Sequence, residues 1–222
     1  MSRSRIVRIK DKRSRIVRIK DKIIITNFKC MFTSLNKLNI CELNPSDSEK
    51  YEKIMLFRNP YNRTISCFLN WMIHLPKGTG VIKNSQEQIM CEDEKNGWLI
   101  PILLKESDFD FNNYKVLLEE NNLIELFKIY IKLLPKIKNN NAHMHSQVKI
   151  IKNKFNIDIF INIDKKGDIM ILKEKIKQDL SISNKSSDKD KQLCEKFINN
   201  DINYKNIIYD IYKDDFEFLP IE

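Results

Sequence analysis

Residues 54–73 read IMLFRNPYNRTISCFLNWMI, and this stretch decides the fold. Residues 54–57 are an unbroken apolar run, the pattern of a strand buried on both faces. Arg58-Asn59-Pro60 breaks it. Proline lacks an amide hydrogen and has φ already set for a helix, so Pro60 suits a first helical turn. A helix is predicted from about residue 61 to 73. The unit is strand, tight turn, helix.

The same unit recurs on the N-terminal side. Ile23-Ile24-Ile25-Thr26-Asn27 is a second short apolar run, followed by a polar turn over 28–34 and a plausible helix over 35–43. On the C-terminal side, residues 75–112 are the least regular, with Pro76, Gly78, Gly80, Gly97 and Pro101. A long variable loop there suits recognition of an acceptor molecule. Residues 117–134 repeat Leu123, Leu126, Phe127, Tyr130 and Leu134 along one helical face. A third strand is predicted at 157–163, a helix at 169–180, a polar linker at 181–191 and an amphipathic helix around 204–216. Strands alternating with helices specify an α/β fold with a mostly parallel central sheet covered on both faces.

The charge of the chain is unevenly placed. Net charge is +9 over 222 residues, but residues 3–12 and 13–22 are identical copies of RSRIVRIKDK. Each copy carries three Arg, two Lys and one Asp, so the pair accounts for +8 and the remainder is near neutral. The division read from this is a basic arm over 1–22 and an α/β domain over 23–222. Apolar and basic residues alternate in the repeat, as in a short strand or an unfolded arm, and two copies are too few for a repeat fold. Such an arm offers non-specific contact with acidic polymers, and the near-neutral remainder argues against a dedicated nucleic-acid binder. No apolar stretch is long enough for a transmembrane anchor, and no apolar segment follows the basic N-terminus as in a secretory leader. The five cysteines are odd in number and form no CxxC pair, which fits reduced thiols in the cytoplasm and no zinc site.

Two segments carry the chemistry. Lys29-Cys30-Met31-Phe32-Thr33-Ser34-Leu35 lies between a predicted strand and helix. A turn entering a helix presents unpaired amide hydrogens and the positive end of the helix dipole, which bind phosphate. Thr33 and Ser34 add hydroxyls and Lys29 a point charge, although the Walker pattern GxxxxGK[ST] is absent. The second segment, Arg58 to Phe68, ends a strand in Arg58 and carries Arg63 and Ser66 into the following helix. Arginine suits a terminal phosphate because its planar fork is always charged, and an ion pair within the fold is the competing role for Arg63.

Together these segments resemble the two PAPS-binding motifs of the sulfotransferases, in particular the carbohydrate sulfotransferases of the family 2 type (PAPS is 3′-phosphoadenosine 5′-phosphosulfate). Three further segments are similar in the same order: Asn141 to Gln147, Phe160 to Asp164 with Asp168 beyond, and Ile211 to Phe216. The resemblance implies a P-loop-like three-layer domain that uses PAPS as sulfuryl donor to a carbohydrate hydroxyl. It implies that Lys29, Cys30, Met31, Phe32, Thr33, Ser34 and Leu35 hold the 5′ side, and that Arg58 and Ser66 hold the 3′-phosphate.

Sulfuryl transfer is an in-line displacement through a loose transition state, so the protein must neutralise the departing oxygen and accept the acceptor's proton. Lys29 suits the first task; His143 or His74 suits the second, with Glu49 and Glu52 also open. No metal is expected, because the group transferred carries little charge. The sequence departs from the family pattern where Phe28 replaces a proline, Met31 a glycine, Met144 a tryptophan and Ser146 a proline. Two alternatives therefore stand beside it: a non-catalytic relative that binds PAPS or an anionic glycan, and a nucleotide-dependent phosphotransferase.

Overall fold

The computed structural model describes residues 14–27, 49–74, 81–83, 89–91, 106, 119–139, 144–150, 156–177 and 188–221. The chain forms two compact units. The first comprises Met1–Arg63, Lys138–Lys185 and Tyr212–Glu222; the second comprises Thr64–Ile137 and Ser186–Ile211.

The first unit is built on a four-stranded sheet of order β1-β2-β3-β6, with β1 Ser14–Ile19, β2 Lys22–Asn27, β3 Glu52–Phe57 and β6 Ile159–Asn162. Strands β2, β3 and β6 are parallel, and β1 pairs antiparallel with β2 at the edge. The α/β reading and the mostly parallel sheet are therefore found. Ile54 and Leu56 point to one face, where Val17, Ile19, Ile24, Ile161 and, from helix α3 (Lys166–Ile176), Leu172 and Ile176 join them. Ile23, Ile25, Met55 and Phe57 point to the other, against Val148 and Leu219. This is why residues 23–25 and 54–57 are continuously apolar: the strands are covered on both sides.

Of the two alternatives for the repeat, strand or arm, the second copy takes the strand. Its Ser14–Ile19 segment is β1, and Val17 and Ile19 are 1% and 0% exposed in the core. The apolar and basic residues alternate because one set faces the core and Arg18 lies over Tyr51, donating from Nη1 to its hydroxyl at 2.8 Å. A two-residue turn, Lys20-Asp21, joins β1 to β2, with Lys20 in the left-handed region at φ 56°. The first copy lies outside the described residues.

The second unit is helical where it is described, apart from a small antiparallel pair, β4 (Val81–Lys83) and β5 (Ile89–Cys91). That pair falls in the segment expected to be irregular. Helix α1, Pro60–His74, enters this unit from Thr64 onward. Helix α2, Glu120–Ile137, is the long helix expected over 117–134, with its predicted apolar face buried. Two helices complete the unit, α4 (Asp188–Asn200) and α5 (Ile202–Ile211). Phe68 and Tyr130 stack at 5.4 Å between ring centres, and Phe127 meets Phe68 at 4.9 Å and Phe197 at 6.1 Å. Two free cysteines, Cys67 and Cys194, are buried among the described residues. Burial pushes the Cys194 thiol up to about 12, which keeps it protonated and unreactive.

Two differences from the sequence reading have physical causes. The predicted linker over 181–191 gives way to helix α4 at Asp188, which was missed because only Cys194 and Ile198 of its thirteen residues are buried. The single terminal helix expected over 204–216 is two, α5 and α6 (Lys213–Phe218), interrupted at Tyr212, whose φ and ψ are −113° and 26°.

The N-terminal ends of β2 and β3 are held by charge. Glu52 bridges Lys22 of β2 at 3.3 Å and Lys175 of α3 at 2.9 Å. The Lys175 hydrogen bond, with that from Lys22, holds the Glu52 carboxyl below its ordinary range. The stabilisation is complete above the ordinary glutamate value of about 4.3 and is lost as pH falls through the lower folded value. Glu52→Gln should lower stability near neutral pH by about 0.5–1 kcal/mol, the range for partly exposed pairs. Urea titrations at several pH values check this: the gap between variant and parent closes as the pH drops below about 4.

Candidate functional site

Parallel α/β sheets place ligands beyond the C-terminal ends of their strands, and that edge of the first unit carries its densest polar network. β3 ends in Phe57, and Arg58 follows. The Arg58 amide donates to Gln147 Oε1 at 3.0 Å, and Gln147 Nε2 donates back to the Arg58 carbonyl at 2.8 Å. One side-chain amide thus satisfies both backbone groups of Arg58, as a neighbouring strand would. These two bonds also fix which way the Gln147 amide faces.

Gln147 is itself held by Asp215, which is 0% exposed. The Asp215 carboxylate accepts from Ser146 Oγ at 2.6 Å, Gln147 N at 3.0 Å, Val148 N at 3.0 Å and, at the 3.5 Å limit, Gln147 Nε2. A carboxylate that is taken out of water needs such donors, since an uncompensated buried charge is far too costly. Asp215 sits in the first turn of α6, where a carboxylate also suits the helix dipole.

The Arg58 side chain points to the turn after β6. Its Nε lies 2.9 Å from Asp164 Oδ1, with side-chain exposures of 20% and 10%. That turn is self-braced: the Asp164 amide donates to Asn162 Oδ1 at 3.0 Å, and the Asn162 amide to Asp168 Oδ2 at 2.8 Å. Asp164 engages only the Nε side of the guanidinium. The two terminal amino groups of Arg58 make no hydrogen bond to another described residue.

Helix α1 starts beside Arg58 in the way its sequence specifies. Asn59 caps it, its Oδ1 accepting the Tyr61 amide at 2.9 Å, with Pro60 in the first helical position. Arg63 is 2% exposed, donates from Nη1 to the His145 carbonyl at 2.6 Å and lies 5.9 Å from the Tyr212 ring centre. It braces the loop at 144–147 from inside, so it takes a structural role through a carbonyl and a ring.

Of the residues expected at the site, the structure describes Arg58, Ser66 and the further candidate bases Glu49 and Glu52, and Glu52 lies at the N-terminal end of β3, paired with Lys22 and Lys175. Arg58 occupies the sheet edge; Ser66 is half-buried in α1, in the part assigned to the second unit. Lys29, Cys30, Met31, Phe32, Thr33, Ser34, Leu35 and His143 lie outside the described residues. His74 is the last residue of α1, and its side chain also lies outside them. The strand that precedes the first motif is described. Thr26 of β2 is level with Leu56 of β3, so the chain leaves β2 at Asn27 beside Phe57, one strand from Arg58. Asp164, Gln147 and Asp215 are the site residues whose roles the sequence reading left unassigned. Among the described residues no group of three or more His, Cys, Asp or Glu is placed to hold a metal, and no helix is long and apolar enough to cross a membrane.

The chain matched no family model, no curated protein and no solved structure.

The Asp215 network yields a stability prediction. Asp215→Asn keeps the shape but turns one acceptor into a donor facing donors, leaving buried hydrogens unpaired. The expected cost is about 3 kcal/mol in urea-induced unfolding. A loss below about 1 kcal/mol would show that the carboxylate is not what holds residues 146–148.

Proposed function

We propose that this chain transfers a sulfuryl group from PAPS to a hydroxyl of a carbohydrate acceptor, on a P-loop-like three-layer domain. The observation that carries this reading is the state of Arg58. It stands at the C-terminal end of a parallel strand, with Nε in an ion pair with Asp164 and its terminal amino groups making no hydrogen bond to another described residue. One strand away the chain leaves β2 toward Lys29. An arginine anchored on one side and unengaged on the other is suited to a dianion such as a 3′-phosphate.

In this reading the 3′-phosphate takes the terminal amino groups of Arg58, with Ser66 adding a hydroxyl. The turn from Lys29 to Leu35 receives the 5′-phosphosulfate. The acceptor oxygen forms a bond to sulfur as the bond from sulfur to the bridging phosphate oxygen breaks. The acceptor's proton passes to a base, for which His143 and His74 are the candidates. The electron pair of the broken bond stays on the departing 3′,5′-ADP, where Lys29 and the turn amides offset the growing charge. The transferred group carries one negative charge, so the proposal includes no metal. The odd number of cysteines, without a CxxC pair, supports placement in the cytoplasm.

Incubation of the protein with radiolabelled PAPS and a panel of glycans, polysaccharides and small alcohols tests the proposal. Label on a carbohydrate supports it. Tight 3′,5′-ADP binding without turnover on any acceptor would instead identify a non-catalytic relative, and ATP competing only with magnesium present would identify a phosphotransferase.

Two substitutions separate the assigned roles. Lys29→Ala should lower turnover at least about a hundredfold and leave nucleotide affinity less affected, as for loss of a main electrostatic donor. Arg58→Ala should weaken 3′,5′-ADP binding by roughly ten- to a hundredfold in titration calorimetry, the worth of about 1.5–3 kcal/mol for hydrogen bonds to a charged group. Unchanged affinity would remove Arg58 from the nucleotide site. Asp164→Asn should weaken binding in the same direction by a smaller factor, because it frees the guanidinium without removing it.

A further inference from the structure

Strand β1 is the second copy of a perfect repeat, and everything that holds it in place is duplicated ten residues earlier. We propose that the edge of β2 is a docking site for either copy within the same chain, so that the sheet has two registers ten residues apart. In the second register Ser4–Ile9 pairs with β2, and residues 10–21 are left outside the sheet.

The argument starts from what fixes β1. Its contribution to the core comes from Val17 and Ile19, its packing on the other face from Ile16, and its polar anchor from Arg18 on the Tyr51 hydroxyl. Ile6, Val7, Arg8 and Ile9 offer the same four side chains in the same order. A slip of one residue in a strand turns its core face outward, which normally fixes register. A slip of ten moves an even number of residues and replaces each side chain by its own kind. No contact made by β1 distinguishes the copies. Lys22 belongs to β2 and keeps its partner Glu52 in both registers.

The turn distinguishes them. In the register seen, Lys20-Asp21 closes β1 onto β2, with Ile19 paired to Lys22. In the other, Ile9 takes the place of Ile19, and residues 10–21 close a loop of twelve. Loop closure scales as the three-halves power of length, so the longer loop is disfavoured roughly fifteenfold. Release of the left-handed conformation at Lys20 offsets part of that factor. The second register is thus a minor but populated state.

Replacement is favoured over simple addition of the first copy to the free edge of β1. Laid antiparallel and aligned end to end, the copies would set Arg5 against Arg18 and Arg8 against Arg15. Continued through a turn at Lys10-Asp11, they would set Arg8 against Arg13 and Arg3 against Arg18. Like charges directly opposite destabilise a strand pair, and arginines at these positions protect an edge from further pairing.

Three variants test the proposal: Val17→Asp with Ile19→Asp, Val7→Asp with Ile9→Asp, and all four together. The pair in the second copy should raise the unfolding equilibrium constant by no more than about fifteenfold, because the first copy takes over. The pair in the first copy should leave it unchanged. The fourfold variant should lose at least a further hundredfold, on the order expected for buried charge in a core strand. Amide exchange read by mass spectrometry gives a second measure. In the second-copy variant, protection should appear over residues 4–9, in a protein that remains monomeric on size exclusion. Equal losses for the second-copy and fourfold variants would overturn the proposal. So would a folded second-copy variant without protection over 4–9, or one that folds only as a dimer, since a second chain would then fill the site.

Discussion

A single buried carboxylate organises the first unit. Asp215 is close to the end of the chain, yet its full burial obliges the structure to surround it with donors. The donors are the hydroxyl of Ser146 and the amides of Gln147 and Val148. Satisfying the carboxylate therefore dictates the path of residues 146–148, and that path delivers the Gln147 side chain to Arg58. The order of dependence runs from charge compensation, to loop conformation, to the placement of an arginine. Arg58 is held at the backbone by one partner and at Nε by another, Asp164, so little freedom is left to it. A guanidinium already fixed in this way loses little further entropy on meeting an anion, which is the advantage of preorganisation.

The two ends of the parallel strands are built on different physics. At the N-terminal ends, Lys22, Glu52 and Lys175 form a partly exposed set of ion pairs, where water and salt limit the gain. At the C-terminal ends Asp215, Ser146, Gln147 and the Arg58 backbone are hydrogen-bonded to one another out of water, so removing one partner strands another. The same sheet thus has a tolerant end and an intolerant one. A chemical site belongs at the intolerant end, where geometry is enforced by the cost of leaving it.

What could be read in the sequence was what is local. The strand at 54–57, Pro60 in the first turn of the following helix, and the periodic face of α2 all announce themselves within a few residues, and all are found. The pairing of Gln147 with Arg58 spans 89 positions and that of Gln147 with Asp215 spans 68, and no local signal connects them. Helix α4 was hidden because a helix that buries little looks like a linker. The repeat misled for a different reason. Its net charge suggested an arm, but an arginine in a strand costs little when it lies over a tyrosine, as Arg18 does. Composition averages over both faces of a strand; alternation does not, and alternation was the better guide. The rest of the expected site, from Lys29 to Leu35 with His143, lies outside the described residues.

Two of the departures from the sulfotransferase pattern acquire a reason in this network. Ser146 stands where that pattern has a proline, and a proline has no hydroxyl to donate. Here the Ser146 hydroxyl makes the shortest of the bonds to Asp215, so the substitution adds a donor to a carboxylate that needs it. Met144 stands in place of a tryptophan and is 1% exposed, a flexible apolar side chain filling a core position. The first change is absorbed by a hydrogen bond and the second by burial. Departures of this kind alter how the site is supported and not what it presents. Under the proposed function, the departure that bears on catalysis is then the replacement of glycine by Met31, in the turn assigned to the phosphosulfate, where a side chain stands in place of none.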